Sequence, residues 1–299
     1  ECGVAALYWL GEPADGGSST DLEPDARGDV AGLLPTMLLN LQNRGQLAAG
    51  ISTFSAARAQ ILDTYKAVGT VTEVFHTYQP ERHRQLLAEY AGTAGIAHTR
   101  YATSGADDDR YAQPFERHHG RPWKWFSLAF NGTLSNYRQL RDHLVRRRGY
   151  HISLETDTEV IMHTLAYGLR GERMPRLEQV MSEVAAIFDG AYNLVYLDAR
   201  GRMFVARDPH GFRPLHWAVQ GRLFGAASES VALANAGFAD VHALEPGQMA
   251  IIEHGRLRFA RFAHVQEQSR CFFEWVYFAN VASQIDGYSV YGSRAAAGR

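Results

Sequence analysis

The chain has 299 residues, 46% of them hydrophobic and 21% charged, with a formal net charge of −2. That is an ordinary soluble composition with ample material for a core, and its balance excludes the distinctly basic character of a general nucleic-acid binder. No apolar run approaches the roughly 18 residues of a membrane span, and two cysteines, Cys2 and Cys271, make no disulfide framework, so a reducing, cytoplasmic setting is expected.

In chain order, "CGVAALYW" reads as a short buried strand at the very start. No basic region precedes it, so a signal peptide is not expected. The absence of an initiator Met marks the chain as processed, trimmed or cut from something longer. Residues Gly11 to Asp29 are rich in Gly, Pro and Asp and read as a loop. "VAGLLPTMLLNLQNRG" has helical spacing and a glycine end, with Pro35 a boundary or kink. "AAGISTFSA" and "GTAGIAHTRYAT" are predicted strands, and "WFSLAFNGTLSN" is a third that should break at Asn131-Gly132. Three helices follow. They are "NYRQLRDHLVRRRG", whose arginines Arg146 to Arg148 suit a solvated helix end, "TDTEVIMHTLAYGL" with Thr156 as N-cap, and "RLEQVMSEVAAIF". The remainder reads as strands: "AYNLVYLD", "RMFVARD", "LHWAVQ", "RLFGAAS", "QMAIIE" and "RLRFARF". Strands at both ends with helices between them predict a layered α+β domain, and two sheets between helix layers fit this order.

Five stretches carry chemistry. Cys2 is either a small buried hydrophobe or a nucleophile. If Glu1 were removed, Cys2 would own a free α-amine, which titrates near pKa ~7.7–8.0 and can act as base for its own thiol. "NRGQLAAGI", Asn43 to Ile51, is weak alone and fits a helix C-cap. In "AHTRYATSG", Ala97 to Gly105, Arg100 reads as a surface residue at a strand end or as a planar fork for a carboxylate. In "LAFNGTLSN", Asn131-Gly132 reads as a hairpin turn or as an oxyanion hole made of a side-chain amide and a backbone N–H. In "TDTEVI", Asp157 either favours the helix dipole or binds an ammonium group. A thiol, a fork for a carboxylate, an oxyanion hole and an aspartate together describe a site for an amino acid with a side-chain amide, which is glutamine.

On these motifs the chain resembles the class II glutamine amidotransferase domain of the amidophosphoribosyltransferase family. The likeness continues through "GTVTEVF", "QPF", "DGAYNLVYL", "ARDPHGFRPL", "ASESVAL", "EPGQMAII", "CFFEWVYFAN" and "IDGYSVYGSR", in family order. The resemblance implies the four-layer αββα sandwich of the N-terminal-nucleophile (Ntn) hydrolases. It implies Cys2 as the nucleophile that forms a glutamyl thioester. Arg100 would bind the substrate carboxylate, with Thr103 lining the same pocket, Asn131 and Gly132 would hold the oxyanion, and Asp157 would take the α-ammonium. Arg44 and Gly45 would shape the pocket beside the nucleophile. Glu1 resembles the end of a leader peptide.

The resemblance divides the chain into a glutaminase domain, 1–265, and a connecting segment, 266–299, that leads to a phosphoribosyltransferase domain not contained in it. The expected partners are glutamine and that ammonia-accepting domain, in a homo-oligomer, with no nucleic acid and no membrane. Hydrolysis of glutamine needs no cofactor, and Mg²⁺ would serve only the phosphoribosyltransferase domain. In leader-bearing relatives a cysteine at the position of Cys271 is one ligand of a [4Fe–4S] cluster, and its other reading here is a buried small hydrophobe. The only acidic run, "GADDDR" (Gly105 to Arg110), reads as a solvated loop, not as a phosphoribosyl-binding signature.

The chain departs from the family at Asn43 (usually His), Leu47 (usually acidic), Phe130 (usually His) and Asn280 to Ser283 (usually Arg-Pro-Asp-Ser), and its loop Gly11 to Asp29 is long. These changes leave the thiol, arginine, oxyanion and aspartate positions intact and bear on the acceptor, so a paralogue with another ammonia acceptor is an alternative. A different Ntn amidohydrolase and an inactive regulatory module that retains Glu1 are the others.

Overall fold

The computed structural model describes residues 2–11, 28–101 and 108–299. The chain begins with β1 (Gly3–Trp9), α1 (Leu33–Leu39), β2 (Ala48–Phe54), β3 (Leu62–Val68), α2 (Val71–Val74), α3 (Pro80–Glu89) and β4 (Ala94–Arg100). It continues with β5 (Phe115–Arg117), β6 (Phe126–Leu134), α4 (Tyr137–Arg148), α5 (Asp157–Gly168), α6 (Leu177–Ala185), β7 (Gly190–Asp198) and β8 (Met203–Arg207). After β9 (His216–Gln220) and β10 (Leu223–Ala227) come α7 (Ser230–Asn235), β11 (His242–Ala243), β12 (Gln248–Glu253) and β13 (Arg256–Arg261). A C-terminal segment adds a wide helical turn at Glu274–Phe278, a small hairpin of β14 (Gln284–Ile285) and β15 (Tyr288–Ser289), and α8 (Val290–Ala297).

Two antiparallel sheets form the middle of the molecule. One has the order β11-β9-β10-β1-β4-β2-β3 and the other β13-β12-β8-β7-β6-β5. Their strands sort side chains by alternation. On β1, Val4, Ala6 and Tyr8 face the space between the sheets. Ala5, Leu7 and Trp9 face the outer layer of α1, α2 and α7 with Leu34, Met37, Val74 and Leu233. On β7, Val195 and Leu197 join the inner layer, while Tyr192, Leu194 and Tyr196 meet α4, α5 and α6 through Leu144, Ile161 and Val180. The expected αββα sandwich follows from this double burial of both sheets.

Several elements differ from expectation for identifiable reasons. The first helix is shorter than its apolar spacing suggests. Pro35 sits in its first turn, and the chain leaves the helix at Asn40 before a separate 3₁₀ turn, Gln42–Arg44. The Asn131-Gly132 pair makes no turn. Strand β6 runs straight through it, with Asn131 opposite Asn193 and Gly132 opposite Tyr192 on β7. Here sheet pairing overrides local turn preference, and the glycine is required by proximity. A Cβ on Gly132 would lie 2.0 Å from the Ala191 carbonyl oxygen. Strand β3, helix α3 and helix α7 carry no clear periodic signal. The edge strand β3 is mostly half-buried, and α3 has no fully buried residue.

Candidate active site

The two sheets open at one end into a cavity of about 300 Å³, lined among others by Cys2, Arg100, Gln113, Gly132, Asp157 and Thr158. This is the lower end of the range for small-molecule pockets. Cys2 stands one residue ahead of β1, and β1 is the central strand flanked by β10 and β4. Gly3 is opposite Thr99, so the nucleophile candidate emerges beside the end of β4 that carries Arg100. The glycine after Cys2 is needed for this fit: a Cβ there would meet Thr99 Oγ1 at 2.7 Å and Leu41 Cβ at 2.9 Å.

Arg100 is 8% exposed and is the last residue of β4. Its guanidinium carbon lies 5.2 Å from the centroid of the Tyr111 ring, another lining residue, which limits how it can point. Arg100 is therefore a wall of the cavity and not a surface arginine.

Phe130, Gly132 and Thr133 contribute the wall from β6. Asn131, between Phe130 and Gly132 in the strand, is not itself among the lining residues; it is 1% exposed, and its Nδ2 has no hydrogen-bond partner. A buried amide donor without a partner costs on the order of 1–3 kcal/mol and needs an explanation. An oxygen that develops negative charge next to it during a reaction would supply the missing acceptor.

Asp157 opens α5 at the cavity wall, behind the N-cap Thr156, whose Oγ1 accepts from the Glu159 N–H at 3.2 Å. Its carboxylate accepts the Leu134 N–H at 3.0 Å. Burial raises its pKa, with that hydrogen bond acting in the opposite direction. An ammonium group brought by a ligand would relieve the burial cost. Arg100 and Asp157 thus place opposite charges on one small cavity, as a zwitterionic amino acid requires.

His98, two residues before Arg100, is fully buried, and burial lowers its pKa to about 3. It is neutral at ordinary pH, and its Nε2 lies 3.2 Å from the Phe130 carbonyl oxygen. It is a structural support, not a general base.

Two residues expected to bind substrate also lie outside the lining. Arg44 is wholly buried and holds two carboxylates: Nε to Glu229 at 2.7 Å, and Nη2 to Glu274 at 2.6 Å. Gly45 packs under the backbone of Arg100, where a Cβ would sit 2.3 Å from its carbonyl carbon. Neither lines the cavity. Thr103 lies outside the described residues, as do Glu1 and most of the long loop after Gly11.

The sequence reading missed Gln113. Its side chain is 6% exposed, accepts the Phe130 N–H at 2.8 Å and donates to Thr158 Oγ1 at 3.1 Å. "QPF" marked the stretch, but no charge or spacing assigned it a task.

The departure at Asn43 and the segment Asn280 to Ser283 meet on one carboxylate. Glu229 accepts from Asn43 Nδ2 at 2.6 Å, from the Asn280 N–H at 2.7 Å and from Ser283 Oγ at 2.7 Å. Cys271 is partly exposed and lies 3.8 Å from Arg213 Nη1. The described residues contain no group of three or more His, Cys, Asp or Glu that could hold a metal. A [4Fe–4S] cluster takes four thiolates. Since the only other cysteine is Cys2, in the cavity, this chain's residues do not fit a cluster by themselves.

Residues 98–235 match the glutamine amidotransferase domain family. The chain is 33% identical to the amidophosphoribosyltransferase of Methanothermobacter thermautotrophicus, over 98% of this chain and 56% of that protein. It is 36% identical to the Escherichia coli enzyme of the same name, over 89% of this chain and 54% of that protein. The solved glutamine phosphoribosylpyrophosphate amidotransferase of B. subtilis, complexed with ADP and GMP, superposes with a TM-score of 0.78 at 29% identity. That match covers 98% of this chain and 56% of the solved chain. The chain thus spans about half the length of the relatives it matches. In sequence and fold the chain is thus similar to the glutamine amidotransferase domain family over residues 98–235, and to about half the length of these amidophosphoribosyltransferases.

Proposed function

We propose that the protein hydrolyses glutamine at this cavity and passes the ammonia to a phosphoribosyltransferase-type domain, as the names of its relatives suggest. The observation that carries the reading is the sharing of one cavity of about 300 Å³ by Cys2, Arg100, Gly132 and Asp157. With Glu1 removed, the α-amine of Cys2 takes the thiol proton, and the thiolate adds to the side-chain amide carbon of glutamine. Asn131 Nδ2 and the Gly132 N–H stabilise the oxyanion. The protonated amine returns its proton to the departing nitrogen, and ammonia leaves. Water then adds to the thioester, and the thiol is regenerated as glutamate departs. Arg100 and Asp157 hold the α-carboxylate and α-ammonium throughout, with Thr103 assigned to the same end of the substrate.

The acceptor is phosphoribosyl pyrophosphate in this reading, converted to phosphoribosylamine at the start of purine synthesis. Mg²⁺ belongs to that second reaction, outside this chain. Residues 266–299 serve as the connecting segment. Their exposed aromatics, Phe272 and Tyr277 at 68% and Phe273 at 61%, support an apolar contact with the acceptor domain. A different acceptor is the second reading, and the observation in its favour is the Asn43 amide, which donates to Glu229 and to the Phe278 carbonyl of the connecting segment.

The test takes the protein from its native host, with N-terminal sequencing, intact mass and glutamine hydrolysis measured together. Mature protein that begins at Cys2 should release ammonia from glutamine, and Cys2→Ala should fall to background. Unchanged turnover in Cys2→Ala, or activity in protein that retains Glu1, would overturn the mechanism. Phosphoribosyl pyrophosphate as sole acceptor of the nitrogen distinguishes the two acceptor readings.

A further inference from the structure

We propose that Gln113 is a positioning residue that sets the length of substrate the cavity accepts, a proposal that rests on the glutaminase reading. Glutamine is gripped at two ends. Its amide oxygen goes to Asn131 and Gly132 on β6, and its ammonium goes to Asp157 at the start of α5. The separation of those two elements therefore decides how many methylenes fit between them. Gln113 is anchored at a neighbour of each grip. Its Oε1 accepts from the N–H of Phe130, the residue before Asn131, at 2.8 Å. Its Nε2 donates to the hydroxyl of Thr158, the residue after Asp157, at 3.1 Å. One buried side chain thus ties the oxyanion strand to the ammonium-binding helix.

A tie acts as a gauge only if its own base is fixed, and three contacts fix it. Lys66 Nζ donates to the carbonyls on both sides of Gln113, to Ala112 at 2.6 Å and to Pro114 at 3.3 Å. The carbonyl oxygen of Gln113 itself backs onto β2 so closely that a Cβ on Gly50 would lie 2.4 Å from it. The Leu134 N–H to Asp157 bond also spans β6 and α5, but it uses the carboxylate that the substrate must engage. Gln113 holds the same gap without occupying either grip.

The experiment compares wild type, Gln113→Ala, Thr158→Val and Thr158→Ser in the full protein beginning at Cys2. It measures kcat and KM for glutamine and for asparagine, which is one methylene shorter, together with melting temperature. Selection between substrates that differ by one methylene is worth about 10–200-fold. Loss of the tie should lower the glutamine-over-asparagine ratio of kcat/KM by about tenfold or more, chiefly through kcat for glutamine. Thr158→Ser keeps the hydroxyl and should keep the wild-type ratio. If Gln113→Ala does not fold, Thr158→Val decides alone, because it removes only one anchor and conserves shape. An active wild type with the same ratio and the same kcat in folded Thr158→Val overturns the tie, whatever happens to melting temperature. A mature wild type that does not hydrolyse glutamine overturns the glutaminase reading, and the tie with it.

Discussion

Asp157 is asked to be buried, charged and ready for a cation, and burial works against the charge. Its pKa is raised by burial, against the effect of the Leu134 N–H. Only the ionised form attracts an ammonium, so binding of glutamine should weaken as pH falls through this raised value. The expected outcome is a kcat/KM profile with an acid limb that breaks above the ordinary carboxylate range near ~3.9. Asp157→Asn should raise KM for glutamine and remove that limb, and initial-rate kinetics across the acidic range check both. Asn131 shows the complementary situation. Its buried Nδ2 has no partner among the described residues, and the oxyanion of the proposed reaction would supply one.

Elements are positioned here by backbones that touch. Gly45 lies between the 3₁₀ turn that ends in Arg44 and the end of β4, and its missing side chain is what lets Arg100 sit where it does. Gly45→Ala should push that strand end outward, raise KM for glutamine about tenfold or more and lower stability by about 1–3 kcal/mol. Kinetics and a denaturant titration on the same sample check the two effects. Arg44 on the other side of the glycine ties the turn to Glu274 in the C-terminal segment. Arg207 does the same from β8. It donates to the carbonyls of Gly211, Arg213 and Leu244 and pairs with Asp286 at 2.8 Å. "RDPHGFRPL" is thus a loop wrapped around a buried guanidinium that also seats the segment after residue 266.

Across the whole molecule, acid sensitivity is built into two fully buried histidines. Burial lowers His216 to about 4 and His98 to about 3. Well above the ordinary histidine value both are uncharged in the folded and unfolded chain and contribute no pH dependence. As pH falls below the ordinary value near ~6.5, the unfolded chain takes up protons that the fold refuses, and stability declines toward those lowered values. The two together give at most about 2.7 kcal/mol per pH unit. His216→Asn keeps a donor toward the Ser228 carbonyl and should flatten the slope by about 1 kcal/mol per pH unit. Urea unfolding at several values between about pH 4.5 and 6 checks this.

The sequence by itself determined the strand at the N-terminus and the helix ends at Thr156 and Gly149, and it singled out Cys2, Arg100 and Asp157, which the fold brings to one cavity. Those features are local: a cap, a left-handed glycine, a charged residue where an apolar run ends. Only the tertiary structure decided that Asn131-Gly132 stays in a strand, because β7 supplies pairing that a lone hairpin signal lacks. It alone moved Arg44 from the pocket to a buried pair with partners 185 and 230 residues away. It alone gave Gln113 a task, since a neutral side chain shows its role only when the two elements it joins have been brought together.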